Sequence, residues 1–509
     1  MVQNSIINSK TESILTMKVL LINPPSTHME GSAKPTIYTP IGILSIAAML
    51  EQAGHEVVVY DSKANYNVER KGNYLYLGDS EATIRSKIKQ VKPNVIGISN
   101  PFTVYLKNAL AVAKICKELY KDVPVVIGGP HAAIAPGDFF KDGNVDIVVM
   151  GEGEYTVLDF FKHLEGKMDL KDIKGIAYKD DGKVQVNPAR EFIQEMDDLP
   201  LPAYHLVDME KYFKGLFAPR SEYVRRAISM ITSRGCPYNC IFCSIALHMG
   251  KKWRSNSPEY IMRHVKLLID KYRIKLIHFE DDNFTLNKVR FEEIIDNIIE
   301  NKIKIKWDTP NGVRADSFNK KLLIKSRLSG CQYLVLAIES GNQKILDDVV
   351  GKKLKLERVE EVARIAKEVG INLEAFYVVG LPGETLENMR ETFEYAKNLY
   401  DEYGIFPMFN IASPQIGTRL YEVCEEEGYF SRDISPDSLL VAQRGAGGLI
   451  KTGEFTPEQI DGLFKEYGSF IKMTRIKKVL KHPFLVISYV IKMLSGTRFY
   501  GIIKKLFFR

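Results

Sequence analysis

Three cysteines within eight residues, Cys236, Cys240 and Cys243, constrain this 509-residue sequence more than any other feature. They follow an apolar stretch at 228–233 that is typical of a buried strand. Thiolates bind iron and zinc, and three thiolates this close in sequence can surround one polynuclear centre. The other three cysteines are far apart, which argues against a disulfide framework and indicates a reduced environment. The segment therefore predicts a metal-binding loop.

A zinc site and a complete ferredoxin-type cluster are the alternatives to an open iron–sulfur cluster. Structural zinc has four ligands, usually two Cys-x-x-Cys pairs; the sequence has no second pair, although His248 could complete a Cys3His site. A ferredoxin-type cluster needs a fourth nearby cysteine, and the next one is Cys331. Chance would produce this spacing in about one of a thousand chains of this cysteine content. A [4Fe-4S] cluster with three thiolates keeps one iron open for the amino and carboxylate groups of a small molecule.

The first third of the chain alternates short apolar strands with helices. Strands are predicted near 18–22, 56–60, 95–99, 125–127 and 146–150, and helices near 41–53 and 105–120. This pattern predicts a flavodoxin-like parallel sheet with helices on both faces, which binds ligands beyond the carboxyl ends of its strands. The candidate binding residues at those ends are Pro24, Ser99, Gly128, Gly129, His131, Gly151, Glu152 and Gly153. On this pattern alone, a response-regulator-type or purely structural domain is an equal alternative.

A second set of strand–helix units follows the cysteine loop. Strands are predicted at 228–233, 276–281, 303–308, 333–339, 373–379 and 406–412, with helices near 258–271, 287–300, 318–328, 357–369 and 385–402. Six units are fewer than the eight of a closed barrel and predict an open (β/α)6 barrel with its functional residues at the carboxyl ends of the strands. The candidates there are Asp281, Asp282, Arg314, Glu339, Ser340 and Gly380. Each carboxylate could instead be a solvated loop charge or, for the two aspartates, part of a helix start near 287.

Composition shifts divide the chain into five segments. We predict a disordered polar tail over 1–16, an α/β domain over 17–165, a linker with a hairpin over 166–225, the barrel over 226–430 and a helical region over 431–509. The first 16 residues lack the apolar core of a secretion signal, so we expect a cytoplasmic protein.

The C-terminal segment carries the charge of the chain. Ten Lys and Arg and no acidic residue lie in 467–509, so the total of +7 leaves −3 for the residues before it. A nearly neutral body argues against nucleic acid as a partner. No apolar stretch reaches the about 18 residues of a membrane span. Basic residues flank apolar clusters over 472–509, which suits an in-plane helix on the cytoplasmic face of a membrane; an ordinary helix packed on the core is the alternative.

Five short segments of the first domain resemble the B12-binding domain of cobalamin-dependent radical S-adenosylmethionine (SAM) enzymes. They are Asn-Pro-Pro at 23–25, Pro-Ile-Gly-Ile-Leu at 40–44, Ala-Gly-His-Glu at 53–56, Gly-Gly-Pro-His at 128–131 and Gly-Glu-Gly-Glu at 151–154. Many B12 domains ligate cobalt from below through the histidine of Asp-x-His-x-x-Gly. That motif is missing here, because His55 has no glycine three residues on and His131 has no aspartate two residues before it. The resemblance implies cobalamin bound without this histidine.

The cysteine spacing is similar to the radical SAM signature, and the barrel count agrees with that family. The resemblance implies a [4Fe-4S] cluster on Cys236, Cys240 and Cys243, with Phe242 packed near the SAM adenine. It implies that Asp281 and Asp282 contact the amino group of SAM and that Glu339 and Ser340 lie near the ribose. It also implies a SAM contact by Arg314 and places the turn at Gly380 beside the adenine. Methylthiotransferases share this layout but carry three more N-terminal cysteines, which this chain lacks.

The family resemblance implies an anaerobic methyltransferase. A 5′-deoxyadenosyl radical takes hydrogen from an unactivated carbon of a small-molecule or lipid substrate, which then receives methyl from methylcobalamin, with electrons from an external flavodoxin or ferredoxin. Radical cyclisation, rearrangement or oxygen insertion, as in the anaerobic Mg-protoporphyrin monomethyl ester cyclases, is the alternative within the enzyme class. A B12-binding sensor module is the alternative outside it.

Overall fold

Two parallel sheets follow one another along the chain in the computed structural model, which describes residues 16–30, 35–214, 226–442 and 448–480. The strands of the first part are β1 (Lys18–Asn23), β2 (Ser26–Met29), β3 (Glu56–Asp61), β4 (Val68–Lys71), β5 (Tyr74–Leu77), β6 (Val95–Ser99), β7 (Val125–Gly128), β8 (Ile147–Val149), β9 (Ile176–Asp180) and β10 (Lys183–Val186). Its helices are α1 (Ile41–Gln52), α2 (Glu81–Val91), α3 (Leu106–Leu119), α4 (Pro130–Ile134) and α5 (Glu154–Leu164).

The first sheet has the strand order β10-β9-β8-β7-β6-β1-β3. Its five parallel strands, β3, β1, β6, β7 and β8, have the 2-1-3-4-5 order of flavodoxin-like domains, which confirms the predicted fold. Alternate side chains of β1 enter different cores, because successive residues of a strand point to opposite faces. Leu20 and Ile22 pack in one core and Val19 and Leu21 in the other.

Two features of this domain differ from the sequence-based prediction. The hairpin that we assigned to the linker lies in the first sheet, where β9 pairs antiparallel with β8 and β10 with β9. Without this hairpin, β8 would be an edge strand with unpaired backbone groups; β9 pairs with them. A separate three-stranded antiparallel sheet, β2-β5-β4, was not predicted at all, because its four-residue strands are too short for a recognisable alternation.

The second part of the chain forms the open barrel. In chain order its elements are α6 (Met209–Lys214), β11 (Ala227–Met230), β12 (Ser233–Arg234), α7 (Ile245–His248), β13 (Arg254–Ser255), α8 (Pro258–Tyr272), β14 (Leu276–Phe279), α9 (Lys288–Glu300), β15 (Lys306–Val313), α10 (Lys320–Leu328), β16 (Cys331–Glu339), α11 (Leu356–Val369), β17 (Asn372–Val379), α12 (Leu386–Tyr403) and β18 (Phe406–Ile411). The sheet order β11-β14-β15-β16-β17-β18, with every neighbouring pair parallel, confirms six units in an open barrel. Alternate residues of its strands pack against the outer helices, and Phe279, Phe291 and Trp307 are buried in that layer.

Four helices follow the barrel: α13 (Arg419–Glu426), α14 (Pro436–Ala442), α15 (Pro457–Glu466) and α16 (Gly468–Leu480). Within the predicted helical region, α15 and α16 are separate helices, with the break at Tyr467. None of the helices in the described ranges is long and apolar enough to span a membrane. The predicted interfacial segment begins on α16, and its remainder, 481–509, lies outside the described residues, as do residues 1–15.

Candidate functional site

A cavity of about 1060 Å³ lies between the two sheets. Ser99, Gly128 and Gly151 line it from the carboxyl ends of first-sheet strands. Ser229 of β11 and Glu280, which follows β14, line it from the barrel. Both sheets thus turn their ligand-binding edges toward one shared space.

The cysteine loop leaves β11 and folds back on residues 249–252. Gly235 has φ +83°, and a Cβ there would lie 2.5 Å from the carbonyl oxygen of Lys252 and 2.9 Å from that of Gly250. The Cys236 N–H donates to the Gly250 carbonyl at 3.2 Å. Only glycine allows both the backbone conformation and this close approach.

The three thiols of the loop are half-buried and close to one another. Burial raises the pKa of each, to about 11 for Cys243, and the neighbouring thiolates of Cys236 and Cys240 raise the Cys243 pKa further. No three His, Cys, Asp or Glu side chains of the described residues are spaced to hold a single ion. Three thiolates on one short loop can each bind a different iron of a cluster.

The segment after β16 holds the loop from the other side. It contains a π-helical turn, Ile345–Val350, and the Val350 carbonyl accepts the Ile241 N–H at 3.2 Å. The Lys352 carbonyl accepts from the Arg314 guanidinium at 2.9 Å, and that guanidinium lies 4.2 Å from the centre of the Tyr238 ring. Arg314 thus binds the middle of the cysteine loop.

Lys352 is a site residue that the sequence analysis missed. Its buried ammonium lies 2.8 Å from a carboxylate oxygen of Glu339, which has φ +78°. Its positive charge also lowers the pKa of Cys236 and of Cys240, against the larger effect of burial. Only the π-turn that places it here could have indicated it, and such turns have no sequence signature, although they are frequent at functional sites.

The aspartates after β14 serve the loop rather than the start of α9, which Asn287 caps. Asp281 is buried and accepts from the Thr232 N–H at 3.1 Å and from the hydroxyls of Thr232 and Ser233 at 2.7 and 2.5 Å. Asp282 accepts the Gly235 N–H at 2.8 Å, and burial raises its pKa to about 6. Both carboxylates therefore fix the turn that leads into Cys236.

The later strand ends are shaped by buried hydrogen bonds. The Ser340 hydroxyl contacts the Thr392 hydroxyl at 3.0 Å and accepts the Asn342 N–H at 3.2 Å. Gly380 has φ +86°, which favours glycine. The turn it begins is closed by Glu384, whose carboxylate accepts the Leu381 N–H at 2.7 Å.

Glu384 and Phe242 complete this part of the site. Burial raises the pKa of Glu384 to about 7, and its second carboxylate oxygen has no partner within the described chain. Phe242 is partly buried and packs with the apolar cluster that contains Val379 and Leu381 of the same strand end. The ring therefore lies beside the turn that begins at Gly380.

The strand ends of the first domain are built from backbone rather than charge. Gly129 has φ +133°, and a Cβ there would lie 2.2 Å from the Asn100 carbonyl oxygen. A Cβ on Gly42 or Gly151 would meet no atom within 4 Å, so these positions open directly into space beside the cavity. Below them an apolar slot runs between the sheet and the helices α1 and α5, lined by Leu21, Ile46, Gly97, Val126 and Phe160. A bulky ligand with an apolar extension fits this shape.

Two predicted residues of this domain, His131 and Pro24, are not among the residues that line the cavity. The His131 side chain is buried, with Nδ1 3.1 Å from the Thr103 hydroxyl and Nε2 3.3 Å from an Asp138 carboxylate oxygen, and burial lowers its pKa. Pro24 precedes Pro25, which packs against Gly78, whereas Asn23 lines the cavity.

Glu152 lines the cavity and also joins the two domains. Its carboxylate lies 2.9 Å from the Arg234 guanidinium and 2.8 Å from that of Arg254. Arg234 also contacts Glu154 at 2.6 Å, and the four side chains are at most 13% exposed. Because Arg234 lies two residues before Cys236, this network ties the end of β8 to the cysteine loop. Its two arginines were not predicted as site residues.

Sequence comparison identifies both halves of the chain. The model of the radical SAM superfamily matches residues 230–396, and that of the B12 binding domain matches residues 34–161. An uncharacterized methyltransferase of Pyrococcus horikoshii is 33% identical over 484 residues, which cover 94% of this chain and 97% of that protein. The chain belongs to the cobalamin-dependent radical SAM enzymes.

Two further relatives carry assigned names. The cytidylyl-2-hydroxyethylphosphonate methyltransferase of Streptomyces wedmorensis is 31% identical over 494 residues, covering 90% of each chain. The anaerobic magnesium-protoporphyrin IX monomethyl ester cyclase of Rubrivivax gelatinosus is 27% identical over 398 residues, covering 77% of this chain and 68% of the cyclase.

Solved structures of this class share the fold. The radical SAM methyltransferase TsrM from Kitasatospora setae, with cobalamin and a [4Fe-4S] cluster bound, superposes with TM-score 0.63 at 18% identity, covering 81% of this chain and 75% of TsrM. OxsB, with aqua-cobalamin and SAM bound, gives TM-score 0.69 at 19% identity, covering 95% of this chain and 69% of OxsB.

The cofactors of this radical SAM enzyme are a [4Fe-4S] cluster, SAM and cobalamin. The residues around the cavity fit all three. The thiol loop offers three soft ligands, and the barrel ends offer buried carboxylates and a glycine turn for a cationic, polar ligand. The glycine-lined edge and apolar slot of the first domain leave room for a large corrin ligand.

Proposed function

We propose that this enzyme transfers a methyl group from methylcobalamin to an unactivated carbon of a small organic acceptor. One observation carries the proposal: the glycine-rich edge of the first sheet and the two ends of the cysteine loop, at Arg234 and at His248 and Met249, line the same cavity. When bound, the cluster and SAM supply the radical that removes hydrogen, and cobalamin supplies the methyl group. A single shared cavity lets the acceptor meet both cofactors without leaving the protein.

The site residues of the barrel fall into three groups: cluster ligands, residues around SAM and residues that support both. In this proposal Cys236, Cys240 and Cys243 hold the cluster. Phe242, Asp282, Arg314, Glu339 and Gly380 surround SAM, while Asp281 and Ser340 support the loops that carry those groups through the hydrogen bonds described above.

The corrin side of the proposal uses main-chain atoms. Ser99, Gly128, Gly129, Gly151 and Gly153 line the cavity and would approach the corrin. The His131 imidazole already contacts Thr103 and Asp138, so in the proposal this histidine would not bind cobalamin. The ion pair of Glu152 with Arg234 would link the two cofactor sites.

The test is anaerobic reconstitution with iron, sulfide and hydroxocobalamin, followed by SAM and dithionite. We expect 5′-deoxyadenosine together with stoichiometric bound corrin in the absorbance spectrum. The matched control is Cys243→Ala, which should keep the corrin and lose deoxyadenosine. Corrin-free protein that still forms deoxyadenosine would refute methyl transfer, and a fully loaded cluster that forms none would favour a binding module.

The named relatives guide the choice of acceptor. Because the relative that covers 90% of this chain methylates a cytidylyl phosphonate, we propose a polar small molecule as the first acceptor to test. Product mass separates the outcomes: one added methylene unit supports methylation, and an unchanged carbon count supports a cyclase-like or rearrangement reaction, as the second relative suggests. Ferredoxin or flavodoxin, substituted for dithionite, would test the proposed electron donor.

A peripheral membrane contact through 472–509 is a separate proposal. On α16 the apolar side chains of Met473 and Ile476 are 41% and 49% exposed, beside exposed Lys472, Arg475 and Lys477. An apolar and basic surface of this kind binds anionic lipid. The full chain and a form ending at residue 470, which removes this surface, should differ in flotation with phosphatidylserine liposomes and not with neutral ones. Equal flotation on anionic liposomes would refute the contact and favour a purely cytoplasmic enzyme.

A further inference from the structure

One end of the cavity is formed by polar side chains that the cofactor assignment leaves unused. Lys63 lies two residues after the end of β3, Asn23 ends β1, and Ser26 and His28 belong to β2. All four line the cavity. The three-stranded sheet β2-β5-β4 is separate from the parallel sheet. Through β2 it supplies part of this wall.

Within the described ranges, the Lys63 ammonium has no carboxylate as a direct partner. Asp61 is nearby, but one of its oxygens accepts from Asn23 at 3.1 Å and from the Lys63 backbone N–H at 3.0 Å. The other accepts the Tyr212 hydroxyl at 2.8 Å. No ion pair of the Lys63 ammonium is found among the described residues. Burial lowers the pKa of Lys63, and the Asp61 charge offsets this only in part.

Lys63 differs from the other cation of the cavity wall, Arg234, in how its charge is compensated. Arg234 and Lys63 are the two Lys or Arg side chains that line the cavity in the described ranges. Arg234 is neutralised by Glu152 and Glu154. The nearby Asp61 carboxylate accepts hydrogen bonds from other donors and compensates the burial of Lys63 only in part. A half-buried cation of this kind gains from a further counter-charge, so Lys63 is the electrostatic anchor that an anionic ligand would use.

The neighbours of Lys63 are neutral hydrogen-bonding groups. Burial and the charge of Lys63 lower the pKa of His28 to about 4, so its imidazole is neutral at pH 7. Its Nε2 lies 2.9 Å from the Ser26 hydroxyl. The ring also packs against Tyr105, with centroids 5.6 Å apart. One cation beside a neutral histidine and a hydroxyl is suited to a phosphoryl oxygen, which combines charge with several acceptors.

We propose that Lys63, together with Ser26 and His28, binds a phosphate or phosphonate group of the methyl acceptor. The inference rests on the methyl-transfer function proposed above and adds the chemical class of its substrate. The phosphodiester of cobalamin itself has the same chemistry, and the experiment must separate these two sources.

The experiment uses the enzyme loaded with cluster and cobalamin, with inorganic pyrophosphate as the probe. Calorimetric titration at constant ionic strength compares the wild type with K63M, K63R and the control K87M, which removes an exposed lysine on α2. We expect K63M to weaken pyrophosphate binding by at least about tenfold, because a charge-assisted contact is lost. K63R and K87M should stay within about threefold of the wild type, since each keeps a cation at position 63.

Absence of pyrophosphate binding to the wild type, or equal binding to K63M, would overturn the proposal. Loss of stoichiometric corrin from K63M would overturn it in favour of the cofactor phosphodiester. Deoxyadenosine formation by the wild type, measured in the same preparation, reports the proposed function separately. An enzyme that binds pyrophosphate through Lys63 but forms no deoxyadenosine would refute the radical chemistry and leave the anion site standing.

Discussion

The two parallel sheets turn their carboxyl ends to the same cavity but build those ends from different groups. In the barrel the ends are held by buried charges: Asp281 and Asp282 on the cysteine loop, and Glu339 on Lys352. In the first domain the corresponding positions are mostly glycines, such as Gly128 and Gly151, which offer backbone and open space. The difference matches the ligands, because a charged cluster and SAM require counter-charges, whereas a large corrin requires room.

The difference also indicates where each half tolerates change. A buried ion pair is destabilised strongly when one partner is removed, since the other charge stays buried. A glycine that faces open space without a positive φ, such as Gly42, gains a methyl group without strain in the protein itself. Changes in the barrel should therefore affect stability and cluster loading, and changes in the first domain should affect corrin binding selectively.

The largest effect is expected for the thiol loop. Cys240→Ala removes one of three cluster ligands and should lower iron content and reduce deoxyadenosine formation on the order of a thousandfold. Cys116→Ala, which removes a buried thiol from the core of the first domain, is the control. Iron analysis and electron paramagnetic resonance of the reduced protein measure the outcome, and a Cys240→Ala protein with full cluster content would contradict the assignment.

The joint between the two halves should show the next largest effect. Arg234→Met leaves Glu154 buried without its partner and should cost about 3 kcal/mol of stability. The control is Arg85→Met, since Arg85 likewise contacts two glutamates, Glu81 and Glu118, but at the surface, where ion pairs stabilise little. Calorimetric unfolding of the cofactor-free protein compares the two variants. Equal changes would show that the buried network does not stabilise the joint.

The same network predicts a pH dependence. Burial raises the pKa of Glu154, but the charge and hydrogen bond of Arg234 outweigh burial, and the pKa lies below its ordinary value of 4.5. The stabilisation is therefore present above pH 4.5 and lost as pH falls through the folded-state pKa. Arg234→Met should remove this acid-side loss, whereas a variant with the wild-type pH profile would contradict the coupling.

Glu384 should produce the opposite pH dependence. Its folded-state pKa of about 7 lies above the ordinary 4.5, so its contribution to stability is present below pH 4.5 and lost as pH rises through 7. Glu384→Gln should be less pH-dependent and, by pH 8, relatively more stable by about 3 kcal/mol. Glu387→Gln, an exposed change on α12, is the control. Thermal midpoints between pH 5 and 8 test this, and parallel profiles for both variants would contradict it.

The smallest effect, and the sharpest test of the contrast, concerns Gly42. A methyl group there meets no atom of the protein within 4 Å but enters space beside the cavity. Gly42→Ala should leave stability unchanged or raise it by up to about 1 kcal/mol. It should weaken cobalamin binding by about threefold to tenfold, because the ligand loses room. The control is Gly462→Ala, at an equally open helical position on α15, which should not change corrin binding. If both variants bound cobalamin equally well, the assignment of the corrin to this edge of the first sheet would be refuted.

Much of the fold could be predicted from the sequence because its parallel strands are short, apolar and separated by amphipathic helices. The strand at 95–99 has the same limits in the sequence and in the structure, and the six barrel strands all appear close to their predicted positions. The small sheet β2-β5-β4 could not be predicted, since its strands have no apolar alternation and acquire their order only by pairing with one another.

The candidate site shows the same division. The cysteine triad follows from spacing, because cluster ligands on one loop must lie close in sequence. Glu152 was predicted as a ligand contact from its place after a strand, and it lines the cavity. Its ion pairs with Arg234 and Arg254 could not be predicted, because both arginines are distant in sequence. The roles of Lys352 and Lys63 could not be predicted from the sequence, because the role of a lysine depends on the charges that surround it in the folded protein.

The sequence by itself determined the chemistry of the loop and the order of the two domains, since both depend on local spacing and periodicity. Only the tertiary structure decided which polar groups are already paired with one another and which remain available to a ligand. The physical reason is that burial and counter-charge are set by residues distant in sequence, as when the ends of β8 and β12 meet through Glu152 and Arg234. For the same reason the cavity end at Lys63, and the anion we assign to it, became visible only once β1, β2 and β3 were placed together.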